Sequence, residues 1–185
     1  FGDPGYVATS HEDLGDGGGN PSFAMGPTLW PSSVDDFDGG QPSHLDMVHD
    51  SPLSQGIAWD RDNIYWVHDG YNRAITRYDF AEPHEPGGTW HDDAILYRYV
   101  QGEVGYVEGV PSHMAFDQDT NLLYLADTEY GRVTVLDTLT GEDGGCIPQS
   151  DGGTVAGGGG GAPPPHDDGT MDKHYVNNAD YQVCL

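Results

Sequence analysis

The sequence predicts an all-β fold assembled from repeated antiparallel units, and three observations carry that prediction. First, residues 52–80 (PLSQGIAWDRDNIYWVHDGYNRAITRYDF) and 111–137 (PSHMAFDQDTNLLYLADTEYGRVTVLD) are variants of one phrase. Laid over each other, Ala58 meets Ala115, Tyr65 meets Tyr124, Asp69 meets Asp127 and Arg73 meets Arg132, with an offset that drifts only from 57 to 59. Second, short apolar runs in both copies are separated by Asp, Asn and Gly, whose turn chemistry breaks strands at fixed places. Third, the run 74–78 alternates with period two, as a half-buried strand does. A repeat of this length made of short strands points to a propeller or solenoid.

The elements follow in order. Residues 6–10 (YVATS) read as one strand of a third unit, ended by the acidic turn His11-Glu12-Asp13. Residues 14–43 read as a long Gly- and Pro-studded excursion, with Met25, Leu29 and Trp30 as its large apolar anchors. In the first clear copy, strands are expected at 56–59, 64–67 and 74–78, with a fourth, outer strand at 94–100. In the second copy they are expected at 114–116, 122–126 and 133–136, with an outer counterpart within 174–183. Four strands per unit is the blade of a β-propeller. The chain thus divides into a partial blade with its loop (1–51), a blade (52–110) and a second blade (111–185). The stretch 150–169, rich in Gly and Pro, reads as a linker-like insertion, and 81–93 as another.

The phrase P-x-x-x-A-x-D…L-Y-x-A-D…G-R-V, spread over residues 52–137, resembles the NHL-type repeat, which builds six-bladed propellers. The peptidyl-hydroxyglycine amidating lyases are similar in their D-G-Y-N-R-type turns, here Asp69 to Arg73. The resemblance implies a larger propeller with histidines at the starts of inner strands holding zinc or another divalent transition metal. On this chain those histidines would be His49, His68 and His113, with Tyr71 matching a catalytic tyrosine. Two departures weigh against a working lyase. Ser112 stands where the family places His directly after Pro, so His113 is one residue late, and a one-residue shift in a strand changes the face a side chain occupies. Thr128 replaces the arginine of the family's A-D-R-E-N phrase.

Composition bounds the function. The chain has 185 residues, 31 Asp and Glu against 6 Lys and Arg, and a formal charge of −25. Nucleic acid is an unsuitable partner, because phosphate binding needs a basic face. Cation binding is one reading of the acidity; the other is solubility in a salty medium that screens the charge. No apolar run is long enough to span a membrane. Two or three blades cannot close a ring that takes four to eight, so a propeller-completing chain or a homo-oligomer is the expected partner. A start at Phe1 rather than Met fits a processed or truncated product. The pair Cys146 and Cys184 fits one disulfide and a secreted or periplasmic protein; two free thiols are the alternative.

The densest polar cluster is His44-Leu45-Asp46-Met47-Val48-His49-Asp50, whose imidazoles and carboxylates suit a transition metal only with ligands from elsewhere. Asp35-Asp36-Phe37-Asp38-Gly39 offers oxygen ligands for calcium but is no EF-hand loop. Asp69 and Asp127 read as turn caps, with Arg73 and Arg132 as their clamps. No G-x-S-x-G, phosphate loop or Cys–His nucleophile pattern is present. Two functions are therefore expected: a non-enzymatic binding or structural module, or a metal-dependent enzyme related to the amidating lyases.

Overall fold

The computed structural model describes residues 5–13, 26–33, 44–86, 88, 93–147 and 172–184, and every regular element among them is a strand. Thirteen strands form three sheets. The first sheet holds β1 (Tyr6–Thr9), β2 (Thr28–Pro31) and β3 (Asp46–Met47). A central sheet begins with the antiparallel meander β4 (Ser54–Arg61), β5 (Ile64–Asp69), β6 (Ala74–Asp79) and β7 (Ile95–Tyr99). The third sheet is a second meander, β8 (Met114–Asp117), β9 (Leu122–Asp127) and β10 (Arg132–Asp137). Two further strands, β11 (Glu142–Cys146) and β12 (Asp172–Asn177), leave the third sheet and extend the central one. β12 runs parallel to β7, and β11 is antiparallel to β12. The chain then returns as β13 (Tyr181–Cys184), which pairs with β10 as the third sheet's fourth strand.

All eight strands expected in the two copies are present, within a few residues at their ends. The outer strand expected within 174–183 is the exception in form. It is broken at Asn178, whose φ of 57° places it in the left-handed region that Asn tolerates. Its two halves join different sheets. The strand β2 lies inside the stretch read as an irregular excursion, anchored by the fully buried Leu29. Asp35–Asp38 and residues 150–169 fall outside the described residues.

Sequence alternation becomes layer stacking. On β5, Tyr65 and Val67 point to one face and Trp66 and His68 to the other, and all four are buried. Tyr65, Val67, Tyr78 and Leu96 pack with Leu29 and Val48 on the side of the first sheet. Ala58, Trp66, Ile75 and Tyr99 pack with Leu123, Leu125 and Leu136 of the third sheet. The Trp66 ring sits edge-on to Tyr99 at 5.2 Å between centroids. Each such buried side chain contributes about 1.5–3 kcal/mol over its exposed state. The central sheet is thus covered on both faces, which is why β5 is buried along its whole length.

Strand pairing fixes the repeat's true register. Ile64 pairs with Asp79 and Leu122 with Asp137, and Asp69 pairs with Ala74 as Asp127 does with Arg132; both correspondences give a constant offset of 58. Tyr124 is therefore the counterpart of Trp66, not of Tyr65, and Gly131 is the counterpart of Arg73. Backbone geometry agrees: Arg73 has φ 53° and Gly131 φ 60°. Arg73 and Tyr65 are shifted by one place from the overlay that residue identity favours, because identity follows chemistry while register follows which face must be buried.

Gly56 of β4 lies against the carbonyl of Ser112, in the connector that leads into β8 of the third sheet, and a Cβ at that position would strike it. Gly56→Ala is expected to force the two sheets apart at a cost of about 1–3 kcal/mol, read as a lower urea midpoint. An unchanged midpoint would mean that the sheets do not meet there.

Candidate functional site

The functional residues expected from the sequence gather at one end of the stacked sheets. There the β5–β6 turn (69–73), the β9–β10 turn (127–132), the connector 100–113 and the segment 44–53 meet. At the centre is a buried carboxylate. Asp69, fully buried, accepts hydrogen bonds at Oδ2 from Ser51 Oγ (2.9 Å), Asn72 Nδ2 (2.9 Å) and Thr76 Oγ1 (3.2 Å). Arg98 Nε lies 3.4 Å from the same oxygen. Asp69 Oδ1 accepts the Asn72 backbone N–H at 3.1 Å, the turn cap the sequence predicts. Tyr78 touches Ser51 Oγ and donates its hydroxyl proton to the His49 carbonyl at 3.0 Å. Burial first, and then the Asp69 charge, push the Tyr78 phenol well above its ordinary pKa.

A second ion pair closes this core. Lys173 reaches in from β12 and places Nζ on the Asp50 carboxylate, with both side chains almost wholly buried. Arg98 Nη2 donates to the Asp50 carbonyl at 2.8 Å. Asp50 itself has φ 79°.

The equivalent turn of the third sheet is wired differently. Asp127 pairs with Arg132 Nε at 2.9 Å, the clamp predicted there, and also accepts the Gly105 N–H at 3.0 Å. The predicted Arg73 clamp on Asp69 is corrected. Arg73 crosses to Glu129 and to the Tyr130 hydroxyl in the next sheet's turn, because the left-handed conformation at Arg73 carries it away from its own turn. The bond from the Tyr106 N–H, then that from Arg73, hold the Glu129 carboxyl below its usual range. Glu12 ties the N-terminal segment to this end. Burial opposes its ionisation, but bonds from the Gly109 N–H, Gln55 and Tyr106 outweigh burial and lower its pKa.

Each proposed site residue has a definite place. His68 is fully buried; its Nε2 lies 2.8 Å from the Gly105 carbonyl, which can only accept, so Nε2 carries the proton. Burial pushes the His68 pKa down and outweighs the Gly105 bond and the charges of Asp69 and Asp127, which push it up. His49 is buried, with its carbonyl engaged by Tyr78. His113 is exposed, and its carbonyl accepts the Ala126 N–H at 2.9 Å. Tyr71 is 43 % exposed on the β5–β6 turn, with its N–H on the Pro52 carbonyl at 3.2 Å. Among the described residues, no group of three or more His, Cys, Asp or Glu is placed to hold a metal ion. The members of the 44–50 cluster serve separate neighbours: the His44 ring meets Trp30 and His84 edge-on, Asp46 lies in β3, and Asp50 takes Lys173. Cys146 and Cys184 are exposed free thiols, not the expected disulfide. The break at Asn178 sends the flanking strands to different sheets, with β11 at the edge of one and β13 at the edge of the other.

Sequence reasoning missed the pairs of Arg98 and Lys173. A signal was available: the chain has only six basic residues. Every one lies within ion-pairing distance of a carboxylate, since Arg61 and Arg77 share Asp60 and the other four pair as described. Among the described residues, each arginine and lysine at this end is already paired with a carboxylate. No helix among the described residues is long and apolar enough to cross a membrane.

A pH dependence follows from His68. The unfolded imidazole protonates near its ordinary 6.5, whereas the folded one resists until lower pH. The unfolded state therefore binds more protons in that window, and His68 removes stability as pH falls from 6.5 toward the folded pKa. In His68→Gln, whose amide can still donate to Gly105, that part of the pH slope is expected to vanish in urea melts at pH 5 and pH 7.5. An identical slope in both proteins would assign the effect elsewhere.

The fold and site define an all-β protein of three stacked sheets with a polar, ion-paired core at one end of the stack. No family model, curated protein or solved structure matches the chain.

Proposed function

We propose that this chain is a non-enzymatic binding or structural module, a partial β-propeller of NHL type that associates with another chain or with a copy of itself. One observation carries the reading. Two four-stranded antiparallel meanders, β4–β7 and β8–β10 with β13, stack face to face and correspond at a constant offset of 58 through their central strands. Face-to-face stacking of four-stranded units is what consecutive propeller blades would require, and a stack of three sheets leaves its end faces to be covered. The buried polar groups support the same reading. Asp69, Tyr78, Arg98, Lys173 and His68 are engaged with protein partners and withdrawn from solvent. Such groups hold a scaffold together; they do not face a substrate. A secreted or periplasmic setting and a salty medium fit the acidity.

Native mass spectrometry of the protein as isolated tests the proposal. A mass greater than this chain, from a second polypeptide or further copies, is the expected result. A lone chain at every concentration would overturn it. Added mass of a transition metal lost on acidification would turn the reading to the lyase-like enzyme with His49, His68 and His113.

A further inference from the structure

We infer that Lys173 and Asp50 are the two halves of an intramolecular amide: Lys173 Nζ condenses with the Asp50 side-chain carboxyl and cross-links β12 to the segment before β4. The inference does not rest on the module reading. It begins from residue choice. Lys173 is the only lysine of the chain, and the other five cations are arginines. Lysine is almost never fully buried unless paired, and for a buried pair that serves structure alone arginine is the better residue, being less strongly hydrated and offering a fork of donors. Here the order is inverted. The arginines paired with Asp60, Asp127 and Glu129 are partly exposed, whereas the Lys173 and Asp50 side chains are 3 % and 5 % exposed. Arg98 shows what a buried structural pair requires. Its partner Asp69 also accepts from Ser51, Asn72 and Thr76, and Arg98 donates in addition to the Asp50 carbonyl. Among the described residues, the Lys173 ammonium has one partner, Asp50. What lysine offers in exchange is an amine that becomes a nucleophile on giving up a proton.

The surroundings favour the neutral product. Register sets Lys173 beside Leu96 of β7, and the Lys173 carbonyl accepts the Ile147 N–H at 2.8 Å. Leu96 and Ile147 belong with Val48 to the buried apolar cluster. Two charges in such a setting are costly, and an amide carries neither. Nζ touches the carboxylate, within the separation of about 3–3.5 Å at which reacting atoms are poised. The step balances without a co-reactant. One Nζ proton passes to the Asp50 carboxylate, leaving an amine and a carboxylic acid. The amine lone pair adds to Cγ, the C–N bond forms, a C–O bond breaks, and the departing hydroxyl leaves with a second Nζ proton as one water. Burial of both groups excludes the water that would reverse the step. The link closes a ring through residues 50–173, which holds the β4–β7 and β8–β10 meanders. It supplies the staple that the free Cys146 and Cys184 do not.

Intact-mass spectrometry of the denatured full chain, followed by tryptic digestion, tests the inference. Protein that has been folded is expected to weigh about 18 Da less than its sequence, the mass of one water. Trypsin is expected to leave Lys173 uncut and to release one branched peptide in which residues 1–61 and 133–185 are joined. Chain held in urea from the start is expected to have its full mass and to lose about 18 Da only on refolding, because folding alone brings the two groups together. Lys173→Arg keeps a cation beside Asp50 but has no amine to acylate, so it is expected at full mass. Asp50→Gly, which suits the φ of 79°, is expected at full mass too. If neither variant folds, the branched peptide of the wild type decides the matter alone. A wild type that keeps its full mass after days in the folded state would overturn the link. So would a water lost without the branched peptide, as from an Asp-Gly succinimide, or a loss already present in the never-folded chain. Any of these leaves the module reading intact, since that reading concerns partners and not the mass of the single chain. Protein at full mass is the ion-paired form, in which replacing Lys173 strands the Asp50 charge.

Discussion

Lys173→Met is expected to lower stability by about 3–5 kcal/mol, because it leaves the Asp50 carboxylate buried with its counter-ion gone. The two side chains are 3 % and 5 % exposed, so water cannot replace the ammonium without local opening. Its effect should also be regional. Lys173 is the second residue of β12, which lies between β7 and β11. Freed from Asp50, both added strands are expected to exchange their amide protons faster than the β4–β7 meander they cover. Asp50→Asn provides the control. Asn tolerates the φ of 79° at that position and carries no charge to strand. The double variant Lys173→Met with Asp50→Asn is expected to regain at least half of the loss, because removing both charges removes the desolvation cost along with the attraction. Urea melts of the four proteins measure this. A single variant within about 0.5 kcal/mol of wild type would show that the ammonium does not sit on Asp50.

Asp69→Ala is expected to cost as much, about 3–5 kcal/mol, for a related reason. It removes the acceptor shared by Ser51, Asn72 and Thr76 and the counter-charge of Arg98, whose side chain is 4 % exposed. Three buried groups, on Ser51, Thr76 and Arg98, and the half-buried Asn72 amide then lose this partner. Asp127→Ala is the informative comparison, since it occupies the same place in the repeat. Its partner Arg132 is 27 % exposed and also donates to the Glu103 carbonyl, so it can recover water, and the expected loss is about 1–3 kcal/mol. Equal losses at the two aspartates, measured by urea denaturation, would refute the claim that burial of the cation sets the difference.

This contrast shows how far the candidate site was legible in the chain. Both aspartates announce themselves by position, at the end of an apolar run and before a turn, and Asp69 caps its turn as expected. Asp127 and Arg132 pair within one turn because they flank it in sequence. Arg98 and Lys173 were invisible as partners, lying far along the chain from the carboxylates they neutralise. The histidines illustrate the same limit. Spacing could place His49, His68 and His113 near strand ends, but their burial, from complete at His68 to exposed at His113, is set by which sheet covers which.

What the sequence determined by itself is local. Period-two alternation and Asp, Asn and Gly turns located the strands of both copies, and the repeat stated that two units share one plan. Those signals are legible because strand and turn preferences act over a few neighbouring residues. Tertiary structure decided everything that depends on what lies across a sheet. It set the register at 58, so that Trp66 and not Tyr65 corresponds to Tyr124. It also split the final strand at Asn178 between two sheets, kept the two cysteines apart, and sent Arg73 across to Glu129. The physical reason is common to all of these. Side-chain direction in a strand reverses with every residue, and a buried charge takes whatever counter-ion packing brings to it, so both outcomes are set by the stacking of the layers and not by neighbours in the chain.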